Sequence, residues 1–139
     1  MKRFLFDVNV VLDVLLDREP HVESSAAAWF SVETGMAEGL LSAHTVTTIY
    51  YFVRKERGAT QAKDILSTLL RVFRVAAVNA SVIDDALRSS LTDFEDAVTA
   101  AAARLADCDY ILTRDPKGFR GSLVRPLAPE AALPILRQQ

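Results

Sequence analysis

Four aspartates are the residues in this chain most able to do chemistry together: Asp7, Asp93, Asp96 and Asp115. Asp7 ends a short apolar run, Phe4–Phe6, that reads as a strand. In an open parallel sheet the carboxyl ends of the strands form the ligand crevice, so a carboxylate there can bind a metal or a phosphate-bearing ligand. It fits equally well as the cap of a helix starting near Val8. Asp115 follows a second apolar run, Tyr110–Thr113, in the sequence TRDPKGF. If the two strands are parallel, Asp115 reaches the same edge, although Asp-Pro also starts ordinary turns. The stretch LTDFEDAV opens a helix, with Thr92 and Glu95 matching a capping box. Asp93 then serves either the helix dipole or a ligand. Asp96 shares a face with Asp93, Ala97 and Ala100, because residues three and four apart are neighbours on a helix. Two acids on a small-residue face repel unless a cation or solvent screens them, and metal binding is the favoured reading.

As a set these are hard oxygen donors, with no cysteine cluster and no local histidine pair. Such donors select Mg2+ or Mn2+ over zinc. Ions of that kind activate water and neutralise charge developing on a phosphoryl group. Without them, crowded carboxylates raise one another's pKa. His21 and His44 stand alone and read as surface or loop residues. Cys108 reads as a small buried hydrophobe, since no partner histidine is indicated. Residues 114–139 carry five bases, Arg114, Lys117, Arg120, Arg125 and Arg137, against the acids Asp115 and Glu130. A basic rim beside an acidic pocket suits phosphodiester handling; a solvated surface with uneven charge explains it as well.

These residues need elements to hold them. The 139-residue chain is half apolar and 24% charged, ordinary for a single globular domain, here 1–139, that buries its own core. A net charge of −2 argues against bulk electrostatic coating of nucleic acid. One cysteine excludes an internal disulfide and points to a reducing cytoplasm. The start, MKRFLFDVNVVLDVLLDREP, opens like a signal peptide, but Asp7 and Asp13 interrupt it and no small-residue cleavage site follows, so it reads as mature protein. No segment approaches the roughly 20 apolar residues of a membrane span. Apolar runs predict strands at Phe4–Phe6, Leu40–Ser42, Val72–Val78, Tyr110–Thr113 and, more weakly, Leu123–Leu127. Helical spacing fills 22–34, 45–57, 60–71, 82–90 and 94–106. Strands alternating with helices predict a mainly parallel sheet covered on both faces, a three-layer α/β/α sandwich.

FLFDVNVVLDVLL, LLSAHTVTTIYYFVRK and DFEDAVTAAAARLADCDYILTRDPKGF, in that order, resemble the PIN domain family, which includes the VapC-type toxins of bacterial toxin–antitoxin pairs. The resemblance spans nearly the whole chain. It implies an α/β/α fold and a Mg2+- or Mn2+-dependent endoribonuclease in which Asp7, Asp96 and Asp115 take the places of the acidic ligands. By the same match Asn9 helps order the first acid, Thr113 precedes the last, and Asp93 belongs to the DFED variant of its motif. One departure stands out. Many members carry a glutamate in the second motif, where this chain has Thr48; the nearest downstream acid, Glu56, lies about two helical turns on.

The readings that follow are a metal-dependent ribonuclease, with RNA phosphates met by Arg114, Lys117 and Arg120, or a catalytically weak PIN module that binds RNA or a protein partner. A third, a phosphatase of the haloacid dehalogenase type, resembles this chain only in Phe6-Asp7-Val8-Asn9, and it wants an acid where Asn9 stands. The PIN resemblance further suggests a protein antitoxin as partner and a homodimer, with Tyr50, Tyr51 and Phe52 as either its apolar surface or core.

Overall fold

The computed structural model describes residues 1–137. Its chain order is β1 (Arg3–Phe6), α1 (Val8–Leu15), α2 (Val22–Glu33), β2 (Glu38–Ser42), α3 (Ala43–Arg57), α4 (Ala59–Val72), β3 (Arg74–Ala76), α5 (Ala80–Arg88), α6 (Phe94–Leu105), β4 (Tyr110–Leu112), a 3-10 turn (Pro116–Phe119), β5 (Arg125–Leu127) and α7 (Pro129–Leu136). The strands lie in the order β3-β2-β1-β4-β5, and every pairing is parallel. The expected sandwich is therefore present, and its sheet is wholly parallel.

The two-residue period of the strands builds two cores. Phe4 and Phe6 of β1, Leu41 of β2 and Leu112 of β4 face one layer, where Val11, Ala28, Ile49, Leu69 and Ala132 bring in α1, α2, α3, α4 and α7. Leu5, Leu40 and Ile111, one residue out of phase, face the other, packed by Val82 and Ala86 of α5 and by the alanines of α6. Phe73 closes the first core edge-to-face on Phe6, with ring centroids 4.9 Å apart. Gly39 makes room for it, since a Cβ there would lie 2.7 Å from the Phe73 ring.

The helix ends follow local chemistry. Arg54, Lys55 and Arg57 fill the last turn of α3, and Gly58, at φ +83°, breaks the chain before α4. The predicted strand Val72–Val78 shrinks to Arg74–Ala76, because Val72 is drawn into α4 by its Leu69 face. The cap of α6 also differs from expectation. Asp93, extended at φ −90° and ψ 123°, is the N-cap, and its carboxylate accepts from Asp96 N at 3.0 Å. The Thr92–Glu95 capping box does not form, and Glu95 is left exposed.

With this strand order the chain leaves β1 toward β2 and β3, then returns to pair β4 on the other flank. The topological switch falls between the carboxyl ends of β1 and β4, where an open α/β sheet forms its crevice. The residue after β1 is Asp7. Two residues separate Leu112 at the end of β4 from Asp115.

Candidate functional site

Asp7 is both a cap and a member of a site. Its backbone N donates to Leu112 O at 2.8 Å, extending the β1–β4 ladder, and its Oδ1 accepts from Val8 N at 2.9 Å. Oδ2 takes the hydroxyl of Thr113 at 2.9 Å. Thr113, 1% exposed, accepts in turn from Asp115 N at 3.1 Å. One threonine thus ties the acids of two strand ends together. Burial pushes the Asp7 carboxyl above its ordinary value, against the pull of the Thr113 and Val8 hydrogen bonds and the fields of Arg114 and His44.

The 3-10 turn after Asp115 folds Gly118 over the acids. A Cβ on Gly118 would lie 2.9 Å from Asp115 Oδ2 and 3.3 Å from Asp96 Oδ2, so both oxygens border one small space that only glycine leaves open. Asp96 is half-buried, and its carboxyl is raised to about 7. Desolvation is the largest cause, followed by Asp7, Asp93, Asp115 and Glu95. The four sequence-expected acids therefore lie close enough for Asp7, Asp93 and Asp115 to act on the charge of Asp96, and Asp93 is also the helix cap. Among the described residues no three histidine, cysteine, aspartate or glutamate side chains are placed together closely enough to hold a metal ion.

The remaining expected residues fall in different places. Asn9 is exposed, and its carboxamide oxygen accepts from Arg18 Nη1 at 3.3 Å instead of meeting Asp7. Arg114 Nε lies 3.0 Å from Oδ2 of Asp13, a fully buried carboxylate that also takes Ser25 Oγ at 3.2 Å. Removing one partner of such a buried pair costs about 3–5 kcal/mol, so Arg114 is structural whatever else it does. Lys117 and Arg120 are exposed on and just after the 3-10 turn. Thr48 is half-buried on α3, one helical turn beyond His44 and on its face. Tyr50 and Phe52 pack against the first core; only Tyr51 is well exposed, at 61%. Cys108 is buried and its thiol is pushed up to about 12, as fits an inert hydrophobe.

Sequence reasoning missed His44. It is no loop residue: it stands in the first turn of α3, with Nδ1 2.6 Å from Ser42 Oγ and Nε2 3.5 Å from Thr99 Oγ1 of α6. Burial lowers its pKa, opposed first by Glu95 and more weakly by Asp7. Ser42 and Thr99 are both buried. The available signal was position, since His44 stands two residues after the end of β2, on the same sheet edge as Asp7.

A doubly covered parallel sheet with carboxylates at its switch point defines an α/β domain whose ligand crevice is expected at that edge. The PIN domain family matches residues 3–117, and the chain belongs to that family. No curated protein matches the chain by sequence. Among solved structures, a chain of FitAcB from Neisseria gonorrhoeae superposes with a TM-score of 0.70 at 22% identity, covering 91% of this chain and 98% of that one. A chain of VapBC2 from Rickettsia felis, solved bound to a DNA fragment from their promoter, gives 0.71 at 13% identity over 91% and 98%. VapC20 from Mycobacterium tuberculosis, described as a Sarcin-Ricin loop cleaving toxin, gives 0.61 at 15% identity over 78% and 86%. At these identities the likeness is one of fold.

Proposed function

We propose that this chain is a divalent-metal-dependent endoribonuclease that acts as the toxin of a toxin–antitoxin pair. The observation that carries the reading is the convergence of Asp7, Asp96 and Asp115 on one crevice, with Thr113 bridging the strand-end acids and Gly118 leaving space between two of them. The donor set is all oxygen and anionic, and the raised Asp96 carboxyl marks a concentration of negative charge that a cation relieves. Asp7, Asp96 and Asp115 would hold Mg2+ or Mn2+, with Asp93 at the margin. Such an ion supplies water activation and neutralises charge on the phosphoryl group. The chain's own work is orientation: Thr113 fixes one Asp7 oxygen, and Arg114 holds a positive charge behind it. Lys117 and Arg120 meet RNA phosphates from the exposed turn, with Arg114 completing the basic side of the crevice.

Toxin–antitoxin complexes recur among the structural neighbours, including one from Klebsiella pneumoniae, and this supports a protein antitoxin for this chain; a homodimer is the proposal that the PIN resemblance adds. Among the described residues no helix is long and apolar enough to cross a membrane; the cytoplasmic location we propose rests on the likeness to toxin–antitoxin proteins. A second reading, a catalytically weak module that binds RNA or protein, draws on Thr48, where the resemblance expects a glutamate. The test is cleavage of single-stranded and structured RNA with Mn2+, comparing wild type, Asp7→Asn and an EDTA control. Cleavage that needs both Mn2+ and Asp7 supports the nuclease; RNA binding without cleavage favours the second reading.

A further inference from the structure

Behind α6, away from the acids, lies a cavity of about 320 Å³ between α5, α6 and the loop after the 3-10 turn. Its walls carry Arg88, Arg104, Asp85, serine hydroxyls and the apolar side chains of Leu91 and Leu123. Neither arginine has an ion-pair partner within 4 Å among the described residues. Two free guanidiniums beside the hydroxyls of Ser89 and Ser90 are phosphate-binding chemistry, while the Ser122 hydroxyl is held by Val124. Asp85 accepts hydrogen bonds, as an acid beside a ribose hydroxyl does. Leu91, Leu123 and the α6 alanines offer apolar surface for a base. The volume is at the lower end of small-ligand sites.

Position links this cavity to the acidic crevice. On α6, Ala97, Ala101 and Arg104 form the stripe that lines it, and Asp96 lies one residue, about 100°, around the same helix. Gly121 and Ser122 line it three and four residues after Gly118, which borders the acids.

We propose that this cavity is a subsite for a phosphorylated ribonucleoside, namely a nucleotide flanking the scissile bond of a bound RNA strand. It rests on the ribonuclease reading only for the identity of the strand. The phosphate lies between Arg88 and Arg104, the ribose against Asp85, and the base against Leu91 and Leu123.

The experiment is an amide NMR titration of the full chain in EDTA, so that cleavage is silent, with 5′-AMP, adenosine and inorganic phosphate as probes. AMP is expected to shift the amides of 89–91 and 121–123, with adenosine and phosphate each at least 10-fold weaker. Arg88→Ala/Arg104→Ala should abolish the shifts, as should Ala101→Glu, which adds a carboxylate to the wall without removing a charge. Asp7→Asn should keep them. In a second arm, the double arginine variant should bind a single-stranded oligoribonucleotide at least 5-fold more weakly and with a shallower salt dependence. AMP shifts elsewhere, or shifts that survive both cavity variants, overturn the subsite. AMP binding with oligoribonucleotide affinity unmoved by the double variant shows a free-nucleotide site and overturns the strand proposal. Failure of wild type to cleave RNA with Mn2+, while the AMP shifts remain, refutes the ribonuclease reading and leaves the cavity assignment standing.

Discussion

Replacing Asp96 by asparagine should stabilise the metal-free protein at alkaline pH while removing its divalent affinity. The Asp96 carboxyl titrates near 7 in the fold, against 3.8 for the unperturbed group, through desolvation first and the neighbouring acids second. Between those two pH values the folded state keeps a proton that the unfolded chain has lost, so stability falls as pH rises from about 4 to 7 and stays reduced above. At about 1.36 kcal/mol per pH unit the gap corresponds to about 4 kcal/mol. Asp96 is only half-buried, and solvent screening cuts this to about 1–2 kcal/mol. Asparagine keeps the shape and never ionises. The variant should therefore melt roughly 3–8 °C above wild type at pH 8 in EDTA, with the difference shrinking toward pH 4. Titration calorimetry with Mn2+ supplies the other half, where the variant should lose most of its heat of binding. A variant that melts with or below wild type at pH 8 refutes the repulsion argument. Unchanged Mn2+ affinity refutes the assignment of Asp96 as a ligand.

Three further outcomes follow from single contacts. Gly118→Ala inserts a Cβ 2.9 Å from Asp115 Oδ2 and 3.3 Å from Asp96 Oδ2, so Mn2+ affinity should drop about 10-fold, or about 1.4 kcal/mol, with no ligand removed; calorimetry showing wild-type affinity would mean the oxygens do not share a site. Thr113→Val strips Asp7 Oδ2 and Asp115 N of their buried partner, and a loss of about 1–3 kcal/mol in chemical denaturation is expected, with Thr113→Ser restoring most of it. Thr48→Glu should raise Mg2+ affinity and lower the apo melting temperature through repulsion with Asp7 and Asp96, an effect that added Mg2+ reverses; if neither quantity moves, Thr48 does not face the crevice.

The layered fold was legible because its signals are local and repeated. Phe4–Phe6 and Tyr110–Thr113 are short, apolar and bounded by polar turn residues, the pattern of buried parallel strands. The α3 terminus carries its cations and its glycine in plain view. What was not legible was decided by tertiary competition. Val72 belongs to a helix because Leu69 and Phe73 anchor that turn in the core, and no local preference shows this. The α7 helix, which starts at Pro129 and runs through Pro134, was missed because its internal proline contradicts helix propensity, while Ala132 and Leu136 bury its inner face regardless.

The site divides along the same line. Asp7 and Asp115 could be placed together from sequence because both follow strands, and parallel pairing then forces them to one edge. The partners that set their behaviour are 106 residues apart, as Thr113 and Asp7 are, or lie on another element, as His44 and Thr99 do. A histidine without a neighbouring ligand reads as surface. Yet the turn after β2 reaches the same edge as the turns after β1 and β4, so any polar residue opening α3 is carried toward the crevice. His44 occupies that first turn, and Thr48, where the resemblance expects a carboxylate, follows one turn later on its face. The charge that a glutamate at this position would bring is absent, and a half-buried imidazole with a lowered pKa stands beside its place. If Asp7, Asp96 and Asp115 hold the ion as proposed, a fourth carboxylate at Thr48 should tighten divalent binding, and the Thr48→Glu titration measures that difference directly.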